Sequence, residues 1–156
     1  MYFEHLVKIN APDTPALAFL SREALWRALW QRVEHPERFL PGLETCVILE
    51  RDAAGLCRRL DFGNTCIHDR VRHLEGEWLR FEVAAADDHA GGTLTITLEE
   101  PEPGLLGLRF AYQTTLDLRG EQADYAEYIK AAYQDSDLET VRVIRRIAAE
   151  FNAPPA

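Results

Sequence analysis

A chain of 156 residues with a formal net charge of −9 is long enough for one core and too acidic for a nucleic-acid or anionic-membrane partner. Hydrophobic residues make up 47% and charged residues 28%, the composition of an ordinary globular domain. No apolar run approaches membrane-spanning length and no signal region opens the chain, so we expect one domain over residues 1–156, with 153–156 frayed. Three cysteines without a C-x-x-C spacing fit free thiols in the cytoplasm.

The N-terminal part of the sequence predicts one strand followed by two short helices. Residues 2–10 alternate in polarity, as a half-buried strand does, and His5 lies on the apolar side. Ser21 is expected to cap a helix that carries Trp26 and Trp30 at helical spacing. A His-Pro pair ends that helix, and the segment PERFLPG then predicts a short second turn of helix.

From residue 43 onward the hydrophobic period changes to two. Turn signals divide the segment into six strands joined by hairpins, which predicts an antiparallel meander. The apolar residues of all six strands lie on the same face of the sheet if the three-residue loop 74–76 ends in a glycine with positive φ. The side chains expected on that inward face are Val47, Leu49, Leu56, Leu60, Phe62, Ile67, Val71, Leu79, Phe81, Val83, Leu94, Ile96, Leu98, Leu106, Leu108, Phe110 and Tyr112.

The segment RRLDFGNTCIHDRV, residues 58–71, places two charges among these apolar residues. A two-residue turn at Gly63-Asn64 makes paired residue numbers sum to 127, so Arg58 lies opposite Asp69 on the inward face. A lone buried charge costs several kcal/mol, and we therefore expect the two side chains to pair. Because apolar residues would stabilise a solid core at least as well, the pair favours a wet or ligand-bearing interior.

The chain ends in a long predicted helix, roughly residues 122–151. Its expected inward stripe is Tyr125, Ile129, Ala132, Tyr133, Ser136, Thr140, Ile144, Ile147 and Phe151. The stripe is bulky at both ends and smaller in the middle, which over a curved sheet favours a void. Close contact between helix and sheet is the alternative reading of the small residues. Trp26 and Trp30 would close one end of the void, unless they serve only in core packing.

Strand, helix pair, meander and terminal helix form an α+β layout. Four segments also carry a resemblance: RFLPGLETCVILER, RLDFGNTCIHDRV, LTITLEEPEPGLLGLRFAY and YIKAAYQDSDLETVRVIRRI. They resemble the START-like (SRPBCC) superfamily, which includes the birch-pollen allergens, and within it a group related to protein L of the fungal acetylaranotin cluster. Bacterial members of that group are described as similar to plant pathogenesis-related allergens.

The resemblance implies the helix-grip fold: a seven-stranded, curved antiparallel sheet with two short N-terminal helices and a long C-terminal helix over its concave face. We expect the strand order 2-3-4-5-6-7-1. It also implies a hydrophobic cavity between sheet and terminal helix that holds a small ligand. Superfamily relatives include carriers, aromatase/cyclases and co-chaperones, so the fold does not choose among these activities.

The residue inventory argues against several kinds of chemistry. The two serines are Ser21, a helix cap, and Ser136, which has no histidine within helical reach, so a hydrolytic triad is not predicted. The five histidines lack the spacing of metal ligands. We therefore expect neither a metal nor an organic cofactor.

The favoured function is binding of a small apolar or aromatic molecule by a carrier or sensor without catalysis. The predicted ligand-binding residues are His5, Trp26, Trp30, Arg58, Leu60, Asp69, Phe81, Phe110, Tyr112, Ile129, Tyr133 and Ser136. The first alternative is an enzyme of the cyclase or lyase type, in which Asp69 or His5 is the general acid or base and Arg58 polarises a carbonyl. The second alternative is a protein-interaction module in which exposed residues such as Ile48 form the binding patch. The sequence is also compatible with a homodimer.

Overall fold

The computed structural model describes residues 1–10, 18–115 and 123–151, so the expected frayed tail lies outside the described residues. Helices and strands follow the predicted order along the chain. They are β1 (Tyr2–Lys8), α1 (Arg22–Glu34), a 3-10 turn (Pro36–Arg38), β2 (Thr45–Asp52), β3 (Gly55–Asp61), β4 (Cys66–Leu74), β5 (Trp78–Val83), β6 (Gly92–Glu99), β7 (Gly107–Thr114) and α2 (Ala123–Phe151).

The seven strands form one antiparallel sheet in the order β1-β7-β6-β5-β4-β3-β2, which confirms the predicted topology. The sheet is curved and carries the long C-terminal helix α2, as expected for a helix-grip fold. The N-terminal region differs in one detail, because it has one α-helix and a single 3-10 turn where two helices were expected. Pro36 cannot continue the backbone ladder of α1, and only one turn fits before Gly42, whose φ is +84°.

The predicted register of β3 to β7 is confirmed. Leu56 pairs with Val71, Arg58 with Asp69 and Leu60 with Ile67, and the inward side chains of these strands are mostly buried. Gly63 and Gly76 have φ angles of +88° and +76°, the conformation that the two turns require.

Strand β2 corrects one part of the prediction. Val47 and Leu49 were expected inward, but they are 40% and 51% exposed. Instead Ile48 lies opposite Arg58, and the register shifts between Ile48 and Glu50. This bulge at Leu49 reverses the alternation within the strand, so no single parity describes it. β2 is also an edge strand, which leaves its side chains less covered than those of the central strands.

The inward stripe of α2 needs a second correction. Thr140, Ile144 and Ile147 are buried as predicted, whereas Ser136, Ala132 and Tyr125 are exposed. Asp137 takes the inward position next to Ser136 and is completely buried. A pattern of apolar residues favours serine over a carboxylate at a buried position, because a lone buried carboxylate is costly. Within the described chain, no helix has the length and apolar character needed to cross a membrane.

Candidate functional site

A cavity of about 300 Å³ lies between the inward face of the sheet and the two helices. Leu60, Ile67, Phe81, Val83 and Leu94 on the central strands form much of its apolar wall. Leu40 and Phe62 extend that wall, and the polar side chains of Arg32, Arg58, Asp69, Tyr112 and Tyr133 also line the space. Exposed lining residues Ala90 and Gln113 mark the side on which the cavity opens to solvent.

Arg58 and Asp69 form a buried bidentate ion pair in this wall. Nε and Nη2 of Arg58 donate to the two Asp69 oxygens at 2.9 and 2.6 Å, and the side chains are only 2% and 4% exposed. Nη1 of Arg58 also donates to the backbone carbonyls of Arg32 and Val33 at 3.1 and 3.2 Å. These carbonyls belong to the last turn of α1, where no helical donor is available. The predicted pair is confirmed, and it also anchors the end of α1 to the sheet.

Arg32 is a second buried guanidinium in the same cavity, on the last turn of α1. It is 9% exposed, and its Nη1 donates to the hydroxyl of Thr140 on α2 at 2.8 Å. Its Cζ lies 5.3 Å from the Phe81 ring centroid, while Arg58 Cζ lies 5.1 Å from the same centroid. Burial lowers the pKa of Arg32, because a charged guanidinium loses its hydration there.

Tyr112, Asp137 and His5 form a hydrogen-bonded chain that leads away from the cavity. The Tyr112 hydroxyl donates to Asp137 Oδ1, and His5 Nδ1 lies 3.1 Å from Oδ2. Burial raises the pKa of Asp137 above its usual range. Burial and the Asp137 carboxylate likewise raise the pKa of Tyr112, which keeps its hydroxyl protonated. The His5 side chain is 22% exposed, so these three hydrogen-bonded side chains connect the cavity with the surface.

A stacked pair of tyrosines forms one wall of the cavity. The rings of Tyr112 on β7 and Tyr133 on α2 have centroids 4.0 Å apart and are nearly parallel, at 2°. Burial raises the pKa of the Tyr133 hydroxyl as well. Such a flat aromatic wall, with Phe81 also in the lining, suits a planar apolar molecule.

The structure brings six of the predicted site residues together in the lining of the cavity. They are Arg58, Leu60, Asp69, Phe81, Tyr112 and Tyr133. His5 is connected to the cavity through Asp137 and Tyr112, while Phe110 is fully buried in the core and Ile129 lies outside the lining.

Three predicted placements are wrong. Ser136 is exposed on α2 and does not face the cavity. Trp26 and Trp30 stack with ring centroids 6.1 Å apart and line a separate surface groove beside His73. They also pack against the hydrophobic core, which was the alternative expectation for them. They lie on a different stripe of α1 from Leu25 and Leu29, which are completely buried against the sheet. Helical spacing alone did not distinguish the two stripes.

Two cavity-associated residues were missed by sequence reasoning, Arg32 and Asp137. An Arg on a helix and an Asp in a run of polar residues look like ordinary surface residues. The only available signal was position: Arg32 falls three residues after Leu29, and Asp137 falls three before Thr140, at helical spacing from apolar or inward positions. Among the residues that the structure describes, no cluster of three His, Cys, Asp or Glu side chains could hold a metal ion.

Comparison with protein families gives one match over nearly the whole chain. The model of the family described as "Acetylaranotin biosynthesis cluster protein L" matches residues 6–150. A search of curated protein sequences returned no significant match.

Solved structures with the same fold include aromatase/cyclases. The di-domain ARO/CYC StfQ from the steffimycin biosynthetic pathway aligns with a TM-score of 0.71 and 14% identity, over 97% of this chain. The chain spans only 51% of StfQ. The Zhui aromatase/cyclase from Streptomyces sp. R1128 aligns with a TM-score of 0.68 and 13% identity, over 98% of this chain and 96% of that one.

A structure outside this group is the Aha1 dimer from Colwellia psychrerythraea. It aligns with a TM-score of 0.61 and 14% identity, over 93% of this chain and 96% of that one. At such identities the similarity shows the fold alone.

Proposed function

Because the chain belongs to the acetylaranotin biosynthesis cluster protein L family, we propose that it binds a small aromatic or otherwise apolar molecule in the cavity between its sheet and helices. In this proposal the chain acts as one helix-grip unit, as a carrier or sensor without catalysis. Leu60, Phe81, Tyr112 and Tyr133 contact the apolar body of the ligand.

The observation that carries this proposal is the cavity itself. Its volume of about 300 Å³ is at the lower end of the range for small-molecule sites, which fits a ligand of one or two fused rings. Its wall is largely apolar and aromatic, and a few buried polar groups converge on it, as in known ligand pockets.

Filling the cavity tests the proposal. Val83 lies opposite Asp69 on the inward face and is only partly buried, so Val83→Phe adds a ring to the cavity at moderate cost in stability. We expect the variant to bind 2-acetylnaphthalene, a neutral two-ring probe, at least about tenfold more weakly than wild type by isothermal titration calorimetry.

Leu49→Phe is the matched control, because it makes a similar enlargement at an exposed position of β2 outside the cavity. Its affinity for the probe should equal that of wild type. Equal probe affinity in wild type and a folded Val83→Phe variant would contradict the proposal, as would a wild type that binds neither this probe nor its carboxylate analogue, 2-naphthoate.

A second candidate is an enzyme of the cyclase or lyase type, and the Tyr112–Asp137–His5 chain favours it. These three side chains could pass a proton between the cavity and the solvent-exposed side of His5. Asp69 is less suited to acid-base chemistry, since both of its oxygens accept hydrogen bonds from Arg58.

Enolisation of the same probe separates the two candidates. A proton-transfer enzyme would remove a methyl proton next to the carbonyl and return deuterium from D₂O, which NMR detects as loss of the methyl signal. Tyr112→Phe and Asp137→Asn should each abolish any acceleration by wild type. For the carrier that we propose, wild type leaves the exchange rate at its buffer value.

The macromolecular partner that fits this fold is a second copy of the chain. Edge strand β2 exposes Val47, Ile48 and Leu49, and within the described part of the chain it has a neighbouring strand on one side only, so two copies could pair there. In sedimentation velocity, Val47→Lys should shift a wild-type dimer toward monomer. A wild-type protein that remains monomeric at high concentration would contradict this part of the proposal.

A further inference from the structure

Two buried guanidiniums line the cavity, and they differ in how their donors are used. Arg58 donates to both oxygens of Asp69 and to two carbonyls of α1. Among the described residues, Arg32 donates only to the Thr140 hydroxyl, although a guanidinium has five N–H groups. Among the residues that the structure describes, no carboxylate is within ion-pair distance of Arg32.

The side chain of Arg32 lines the cavity, and it has donors that Thr140 does not use. No Arg32 nitrogen is among the fully buried polar atoms that lack a partner in the described chain, so its remaining N–H groups are reachable from the cavity. An uncompensated buried cation is costly, whereas a bound anion would supply the missing acceptors.

The other charges around Arg32 do not neutralise it directly. Asp69 is engaged by Arg58, and Asp137 is held by Tyr112 and His5. Burial also lowers the pKa of Arg32 and Arg58 adds repulsion, while Tyr112, Asp137 and Asp69 supply an opposing attraction.

From this geometry we infer that Arg32 binds an ionised oxygen of the ligand, so that the natural ligand is a planar aromatic or conjugated acid: a carboxylate, phenolate or enolate. The inference rests on the proposed function and names the ligand class for the same cavity. The guanidinium fork can donate two parallel hydrogen bonds to a carboxylate. Phe81, already in contact distance of the Arg32 charge, then flanks the aromatic body of the ligand.

A matched pair of probes tests the inference: 2-naphthoate, and 2-acetylnaphthalene, which has the same rings and a neutral carbonyl. Wild type should bind 2-naphthoate at least about tenfold more tightly, because hydrogen bonds to charged groups are the stronger ones. Arg32→Met should remove that preference, so that the two probes bind with affinities within about twofold of each other. Arg32→Lys should keep part of the preference for 2-naphthoate, because lysine retains the positive charge but lacks the two parallel donors of a guanidinium.

Arg27→Met is the control on the same helix. The Arg27 guanidinium lies 3.8 Å from the Phe151 ring centroid and lines the separate surface groove, so its loss should leave both affinities unchanged. If Arg32→Met does not fold, the inference is tested by the preference of wild type for 2-naphthoate and by the size of that preference in Arg32→Lys.

The outcomes separate the two proposals. Binding of both probes without a preference in wild type, or a preference that survives Arg32→Met, overturns the inference and leaves ligand binding intact. Failure of wild type to bind either probe overturns the proposed function, and the inference with it.

Discussion

Arg32 and Arg58 both place their guanidinium groups near the ring of Phe81, but the groups around each guanidinium differ, and so do the roles of the two residues. Arg58 has acceptors for its fork and serves mainly to join β3, β4 and the end of α1. Arg32 has one hydroxyl acceptor among the described residues, and its side chain lines the cavity. The first residue is therefore expected to matter most for stability, and the second for recognition.

Arg58→Met and Asp69→Leu should each lower the free energy of unfolding by about 3–5 kcal/mol, because each leaves a buried charge without its partner. The double variant should recover much of the summed loss, and urea denaturation of all four proteins measures this coupling. A deficit of about 1–3 kcal/mol should remain, since the carbonyls of Arg32 and Val33 lose their donor.

The exposed pair of Arg51 and Glu34 is a control with similar bidentate geometry, at 2.9 and 3.1 Å. Arg51→Met and Glu34→Met should show little coupling, because water screens exposed ion pairs. Additive losses at Arg58 and Asp69 would contradict the role assigned to their pair.

At the scale of elements, α1 is the part that links the sheet to α2. Ser21 caps its first turn, Arg58 binds its last carbonyls and Arg32 reaches Thr140 on α2. Both ends of α1 are therefore held by side-chain hydrogen bonds, which compensates for a helix of only 13 residues. The position of Arg32 in the cavity depends on this anchoring.

Ser21→Ala should lower the free energy of unfolding by about 1 kcal/mol, because the Ala24 backbone N–H loses its acceptor at 3.1 Å. Ser136→Ala is the matched control, since Ser136 is exposed in the middle of α2 and alanine has the higher helix propensity. Thermal or chemical denaturation should show no loss for this variant. An equal loss in the two variants would mean that Ser21 does not act as a cap.

At the scale of the whole molecule, the interior combines an apolar sheet face with polar groups from several elements. Asp137 on α2 meets Tyr112 from β7 and His5 from β1, so three distant parts of the chain converge on one carboxyl group. Its stability contribution therefore depends on the tertiary fold and also on pH.

Stability should depend on the protonation of Asp137. Its pKa is raised above 3.8 by burial, so the folded protein holds this proton more tightly than the unfolded chain. The stability that results is complete below about pH 3.9, the unfolded value, and is lost as the pH rises through the folded pKa. Asp137→Asn removes this loss.

The free energy of unfolding of Asp137→Asn, minus that of wild type, should therefore rise with pH through that window. Denaturant titrations between acidic and neutral pH measure it. Carboxylates whose pKa is lowered by arginines, such as Glu34 and Glu150, act in the opposite direction in both proteins and cancel in the difference. A difference that falls with pH, or does not change, would contradict a raised pKa.

The amino-acid sequence alone determined the order of strands β2 to β7 and most of their register, whereas the place of β1 beside β7 was expected together with the family resemblance. Alternation places residues of one parity on one face, and turns with positive-φ glycines at Gly63 and Gly76 set the pairing between neighbouring strands. These are local rules, and for this reason the opposition of Arg58 and Asp69 could be predicted from a single hairpin.

Only the tertiary structure decided where local rules gave two nearly equal answers. The bulge at Leu49 reversed the faces of β2, which no alternating pattern announces. On α2 the choice between Ser136 and Asp137 depended on partners from β1 and β7, because a buried carboxylate is tolerated only when distant groups hydrogen-bond to it. Arg32 likewise became a cavity residue through its contact with Thr140, 108 residues away along the chain. Burial of a polar group depends on all of its neighbours at once, and the folded chain alone brings those neighbours together.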